Sequence, residues 1–453
     1  MFDVLAKRTK LSLPQLRHLA ATGFELGDRR AGHALNDATV QKYFPKTLPT
    51  CKSLFDGATA VRYLANGKGG ITFIVQYEGL AAPVVLKVMA SQKGTGCRLS
   101  NLVCVFDGDW KWHGYLDARR ELRVAQLISD VEHTVMSPHF LHTYLARPLA
   151  IRQKCTMRKL GQLHGAPKHK LEKLQGGAQT LVANVLEFGG MPSEGIIKGV
   201  IASLPTARAI ACLRGLLTQV LQALVILANE DVVHGDCHDD NILGTATVAD
   251  YLYYEAVVRD ARGNVTPYYI KMPTNGILWR IMDFGRCTSS QLFGGKDHGL
   301  AARTFFGGPM WKKAVMEPAL KALPLEAYDF ARAMDAELDN VSKYCSKPVA
   351  AAFREDVLAL ARTGVEFAKT VPGSVSIQDA TRFNVLPKKV AIATDRTIAK
   401  DIATLEEAMR NHGCMLHVFL AAAKRFKFMD IDDDTFHDTN VFMFEAGVRG
   451  HDT

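Results

Sequence analysis

The sequence predicts an α+β fold in which a strand-rich N-terminal half precedes a mainly helical C-terminal half. Three observations carry that prediction. Tracts of β-branched and aromatic residues crowd between residues 60 and 90, long helical patterns dominate after residue 200, and no internal repeat or low-complexity linker interrupts the order. With 453 residues, 48% of them hydrophobic, the chain can bury a sizeable core, as one large two-lobed domain or as two to three ordinary ones.

The elements follow in order. Residues 1–50 read as a helical extension, with Leu11, Leu13, Leu16 and Leu19 set between basic residues. From Ala60 the tracts AVRYLA, TFIVQYEG and APVVLKVMA predict an antiparallel sheet, with the glycine cluster NGKGG as the turn between the first two. The stretch DARRELRVAQLIS predicts a helix in which Ala118, Glu121, Ala125 and Ile128 share a face, so a glutamate points where burial is expected. Residues 157–177, basic and glycine-bearing, read as a solvated loop ahead of the strand TLVANVLEF. Residues 207–228 form a strongly apolar helix with a stripe of Leu213, Leu217, Val220, Leu221 and Leu224. The stretch between Asn241 and Asp283 is long, and its turn signals RGN and TNG predict an inserted hairpin. The remainder is mostly helical.

Composition bounds the function. The formal charge of +9 permits phosphate-bearing partners, yet charged residues make up only 22% and no Lys/Arg block stands out, so nucleic-acid binding is not indicated. Nine cysteines scattered singly, without a CxxC pair, favour a reducing compartment with neither structural zinc nor a disulfide framework. The N-terminus mixes charge with apolar residues too early for a signal peptide, and no run approaches the apolar length that spans a bilayer. A soluble intracellular protein without a membrane partner is expected.

The chemistry concentrates in VVHGDCHDDNIL, residues 232–243, which sets two histidines, three aspartates and an asparagine between apolar dipeptides. Asp236 and Asn241, five residues apart in a loop that leaves a helix, can offer a carboxylate to a hydroxyl and an amide oxygen to a cation. Asp283 sits in MDFG, where the glycine lets the backbone turn sharply. Asn241 and Asp283 together supply the hard oxygen ligands that Mg²⁺ prefers.

Taken in order, the glycines Gly67, Gly69 and Gly70, Lys87 in VVLKV, Glu121, the tract VLEFGG, the loop HGDCHDDN and DFG resemble the protein-kinase-like phosphotransferase superfamily over residues 60–290. Any one of them alone reads as ordinary turn or surface chemistry, whereas six in sequence are hard to obtain by chance. The resemblance implies a bilobal kinase-like fold with an antiparallel-sheet N-lobe over residues 51–187, a helical C-lobe over 188–410 and a C-terminal extension over 411–453. It implies ATP and Mg²⁺ as cofactors. Lys87, held by Glu121, would contact the phosphates under the turn of Gly67, Gly69 and Gly70. Asp236 would orient the acceptor hydroxyl, and Asn241 and Asp283 would bind metal. Leu186 would back the adenine pocket, with the backbone of Glu187 and Gly189 bonding the base. His234 would support the loop, Asp329 in YDFARAM would anchor it, and Glu317 in MEP stands where the family has its APE motif.

The chain departs from the common pattern in three places. Gly235 replaces the arginine that usually precedes the aspartate, and His238 replaces a lysine usual in serine/threonine kinases; HGDxHxxN is the form common in aminoglycoside and choline-type phosphotransferases and in some kinases of large DNA viruses. Lys87 and Glu121 are far apart, which implies a further insertion over residues 91–113. The inserted hairpin and the DFGR strand resemble the viral kinases. A serine/threonine protein kinase acting on a protein substrate is therefore expected, with a small-molecule kinase and a partner-binding pseudokinase as alternatives.

Overall fold

The computed structural model describes residues 37–44, 47–48, 50–66, 70–91, 114–128, 137–151, 155–172, 174, 180–259, 264–293, 317–382, 413–429 and 441–447. Gly67, Gly69, the expected insertion over 91–113 beyond Ser91, and the leucines of residues 11–19 lie outside them.

Twelve strands organise the described residues, with eight helices that matter for the site and its support. In the N-lobe, β1 (Thr47–Leu48), β2 (Ala58–Asn66), β3 (Gly70–Tyr77), β4 (Val84–Ser91), β5 (Thr143–Ile151) and β6 (Thr180–Leu186) form one sheet in the order β1-β5-β6-β4-β3-β2. Every pairing is antiparallel except β1 on β5. Period-two alternation sorts its residues. Ile71, Phe73, Val75, Leu86, Val88, Leu181, Ala183 and Val185 face one way into the N-lobe core. The intervening Lys87, Met89, Val182 and Asn184 therefore face the other way, where Met89 and Val182 pack with Leu122 of α1 (Gly114–Ile128).

The C-lobe is built on α5 (Thr206–Asn229), which is buried along most of its length. It follows α2 (Met157–Leu163), α3 (Lys168–Leu171) and α4 (Ser193–Gly199), and packs with α6 (Tyr328–Tyr344), α7 (Lys347–Thr370) and α8 (Gly413–Arg425). Its two buried glutamines are satisfied: Gln219 Nε2 donates to Ile277 O and its Oε1 accepts from Trp279 N, while Gln222 Oε1 accepts from Ser137 Oγ. By length and composition α5 could cross a membrane, which corrects the expectation that no run is apolar enough, but most of that window is buried in this core.

Two small sheets flank the helices. β7 (Met191–Pro192), β8 (Ile242–Ala246) and β11 (Ile277–Ile281) pair antiparallel in the order β11-β8-β7. Between β8 and β11 the expected hairpin forms from β9 (Tyr251–Arg259) and β10 (Val265–Pro273), and β12 (Val441–Gly447) adds to β9 in parallel. Tyr254 fastens this insert to the lobe interface. Its hydroxyl lies 2.5 Å from His139 Nε2, whose Nδ1 donates to Trp279 O at 2.8 Å. Burial pushes His139 down to about 3, so it bridges the two as a neutral ring.

Several expectations change. The N-lobe begins well before residue 51, because Val40, Phe44 and Leu48 are buried in its core and Phe44 meets Tyr77 edge-on. Residues 413–429 are part of the C-lobe core rather than an extension, with Val418, Phe419 and Ala422 fully buried. The tract at 157–177 is not a plain solvated loop: α2 buries Met157 and Leu160, α3 buries Leu171, and Leu174 beyond α3 joins them in the N-lobe core. Cys51 and Cys155 form a disulfide, which runs against the expected reducing compartment without a disulfide framework, whereas Cys212, Cys237, Cys287, Cys345 and Cys414 are thiols.

Candidate active site

The site lies where the N-lobe sheet, α1 and the loop after α5 converge. Lys87 projects from the face of β4 opposite the N-lobe core, flanked in register by Thr72 on β3 and Asn184 on β6. Its Nζ is 2.8 Å from Glu121 Oε2 and 2.8 Å from Asp283 Oδ1, residues 34 and 196 positions away in sequence. Glu121 sits on the buried face of α1 with Val124, Ala125 and Ile128, as its spacing predicted. Asn184 Nδ2 donates to its other oxygen, Oε1, at 3.2 Å.

The electrostatics follow from this triad. Burial alone would lower the Lys87 ammonium, but the carboxylates of Asp283 and Glu121 outweigh it and raise its pKa. Burial alone would raise Asp283, yet the adjacent Lys87 charge and hydrogen bond hold it below the usual carboxylate range. Glu121, more deeply enclosed, is pushed up by burial despite Lys87. Lys87 is therefore a fixed cation and Asp283 a fixed, partly exposed anion.

The loop from Asp231 to Asn241 is held from below. Asp329, buried on α6, accepts from the backbone N–H of His234 at 2.7 Å and of Gly235 at 2.8 Å, which is the anchoring role expected of it. Gly235 has φ +73°, a left-handed backbone that a side chain strains. His234 Nδ1 accepts from Asp236 N and its Nε2 donates to Met282 O at 2.9 Å, while its ring lies against Phe284. Asn241 Nδ2 donates to Asp236 O at 2.8 Å, and Asn241 O accepts from Met282 N at 3.0 Å, so the loop and the DFG strand are bonded to each other. Asp283 takes φ +68° and caps Gly285 N, which turns its carboxylate back towards Lys87.

The donor set fits a hard divalent cation. With Asn241 Nδ2 committed to the backbone, its amide oxygen is left for a metal, and Asp283, whose side chain is 37% exposed, keeps a second oxygen beyond the one that meets Lys87. The nucleotide side fits as well. A Cβ at Gly70 would stand 3.2 Å from Val88 O and 3.8 Å from Lys87 Cε, so the start of β3 lies close over the lysine. At the end of β6, Glu187 N donates to His142 O at 3.0 Å and Glu187 Oε1 accepts from His142 N at 2.9 Å. The Glu187 N–H is thus taken by the protein, and a base would meet its carbonyl and the N–H of Gly189. Leu186, half-buried, precedes them. Glu317 pairs with Arg354 of α7 at 2.9 Å.

Three residues went unread in the sequence. Asn184 bears on Glu121 because β4–β6 register sets it opposite Lys87. Arg332 Nη2 reaches Asp236 Oδ1 at 2.9 Å, and Arg286 Nη1 reaches the same oxygen at 3.3 Å. Arg286 directly follows DFG, and Arg332 follows the anchoring Asp329 by one helical turn, so spacing from recognised motifs was the available signal.

No family model matches the chain, and no curated protein matches it. Among solved structures it matches the crystal structure of a kinase domain, PF14_0431, at 12% identity over 84% of this chain and 99% of that one, with a TM-score of 0.33. At that score the likeness adds nothing to the site. The two-lobed α+β fold is read from the six-stranded sheet and the helical lobe themselves.

Proposed function

We propose that this protein is an ATP-dependent phosphotransferase that delivers the γ-phosphate of Mg-ATP to a hydroxyl, with a serine or threonine of a protein as the acceptor. The single observation that carries the reading is Lys87 Nζ at 2.8 Å from both Glu121 and Asp283, a cluster assembled from three distant parts of the chain. Phosphoryl transfer through a loose transition state needs positioning and charge neutralisation more than covalent help. Lys87 supplies a fixed positive charge for phosphate oxygens. Asn241 and Asp283 would hold Mg²⁺, which supplies further neutralisation of the phosphates when bound. Asp236 would orient the acceptor hydroxyl from a loop fixed by Asp329. The likeness of the inserted hairpin and the DFGR strand to kinases of large DNA viruses supports the protein-kinase reading.

A second reading, a small-molecule phosphotransferase, is supported by Gly235, whose backbone is left-handed, and by His238, which together give the HGDxHxxN form of the loop. Transfer of labelled γ-phosphate from Mg-ATP to mixed cell protein and to the protein itself separates the readings, with Asp236→Ala and Asp283→Ala alongside. Protein labelling that disappears in both variants is the expected result. ATP binding without protein labelling would move the acceptor to small molecules, and absence of ATP binding would sink the phosphotransferase reading.

A further inference from the structure

Asp236 does not stand alone in its loop. Its Oδ1 accepts from Arg332 at 2.9 Å and from Arg286 at 3.3 Å, whereas its Oδ2 has His238 Nε2 as a more distant neighbour at 3.8 Å. Arg332 is well enclosed, at 13% exposure, and Arg286 is more open, at 30%. Arg332 belongs to a stripe on α6 whose spacing of three, five and three residues keeps one helical face on the loop. Asp329 takes the amides of His234 and Gly235, Arg332 takes the carboxylate of Asp236, and Asn340 Nδ2 donates to Asp239 Oδ2 at 3.0 Å. Glu337, in the same stripe, receives the hydroxyl of Ser193, which also bonds Asp239 O.

We infer that Arg332 is the positioning residue of the acceptor side, holding Asp236 by Oδ1 so that Oδ2 is the atom presented to the acceptor hydroxyl. The inference rests on the phosphotransferase reading and deepens it. Gly235 leaves the loop without a guanidinium of its own next to the aspartate, and α6 delivers one through space instead. Two guanidinium groups on one oxygen fix the carboxylate's orientation, so Asp236 acts by positioning the hydroxyl, which is what a loose transition state asks of it. Arg286, more exposed and at longer range, is the weaker of the two holds.

The test compares wild type, Arg332→Ala, Arg332→Lys and Arg286→Ala for kcat and for KM of Mg-ATP, with and without added guanidinium ion. Thermal melting is followed for Arg332→Met, Asp236→Asn and the double variant. The expected result is a fall in kcat of about 100-fold in Arg332→Ala, the scale of a misplaced reacting group, with KM for Mg-ATP within about twofold. A smaller loss is expected in Arg332→Lys and in Arg286→Ala, with partial restoration of Arg332→Ala by guanidinium and non-additive melting shifts in the cycle. Unchanged kcat in Arg332→Ala would overturn the inference. So would a loss that raises KM for Mg-ATP in step and resists guanidinium, since that is general damage. Should Arg332→Ala fail to fold, Arg332→Lys decides by the same split. A coupled melting cycle in a wild type that transfers no phosphate would refute the phosphotransferase reading itself and reduce the Arg332–Asp236 pair to a structural one.

Discussion

Lys87 lies mostly buried between two carboxylates, so deleting it does more than remove a charge available to phosphate. It leaves Glu121, only 4% exposed, facing Asp283 without a counter-charge. Lys87→Met should therefore cost about 2–3 kcal/mol of stability as well as ATP binding, and adding Glu121→Gln should recover part of the stability but none of the binding. Denaturant melts of the single and double variants check the first part, and nucleotide-induced thermal shifts the second. Glu337 offers a pH signature. Burial, only partly offset by the hydrogen bond from Ser193, pushes it up to about 8 from an ordinary value of 4.5. Between those two values the unfolded chain has lost the proton that the folded chain keeps, so stability falls as pH rises through that window and levels off above it. Glu337→Gln should flatten the decline of melting temperature between pH 5 and pH 8. Parallel wild-type and variant curves would show that Glu337 is ionised in the folded protein.

At the level of elements, α8 is fastened to the C-lobe by a buried charge. Asp356 of α7, 2% exposed, accepts from Arg214 of α5 at 2.8 Å and from Arg425 of α8 at 2.9 Å. Asp356→Ala would leave two arginines facing each other; because both are more than a third exposed, water softens the penalty, and a loss of about 2 kcal/mol is expected in urea melts. How far the elements could be read from sequence depended on the range of the signal. The helix bearing Glu121, the strand bearing Lys87 and the hairpin flanked by RGN and TNG were legible because each announces itself by local periodicity or turn chemistry. Strand β12 was not, because its pairing with β9 joins residues almost two hundred positions apart. The tract at 157–177 misled because its lysines and glycines hide four buried apolar residues, three of them split between two short helices and the fourth just beyond. Arg332 escaped for a related reason: a surface-type residue on a helix becomes a site residue only when the fold brings the loop over it.

Across the whole molecule, the Cys51–Cys155 disulfide closes a stretch with a sequence separation of 104 and ties the segment before β2 to the tract that follows β5. Reduction, or Cys51→Ala, should lower stability by about 2–4 kcal/mol, with the active-site residues untouched; equal melting with and without reductant would show that the N-lobe core holds this segment by itself. The face of α6 that carries Asp329 and Arg332 also sets an order in time. The partners they hold, His234, Gly235 and Asp236, precede them by 94 to 96 residues. The loop is therefore translated well before the helix that holds it, and its bonds to Asp329 and Arg332 can form only once that helix has been made.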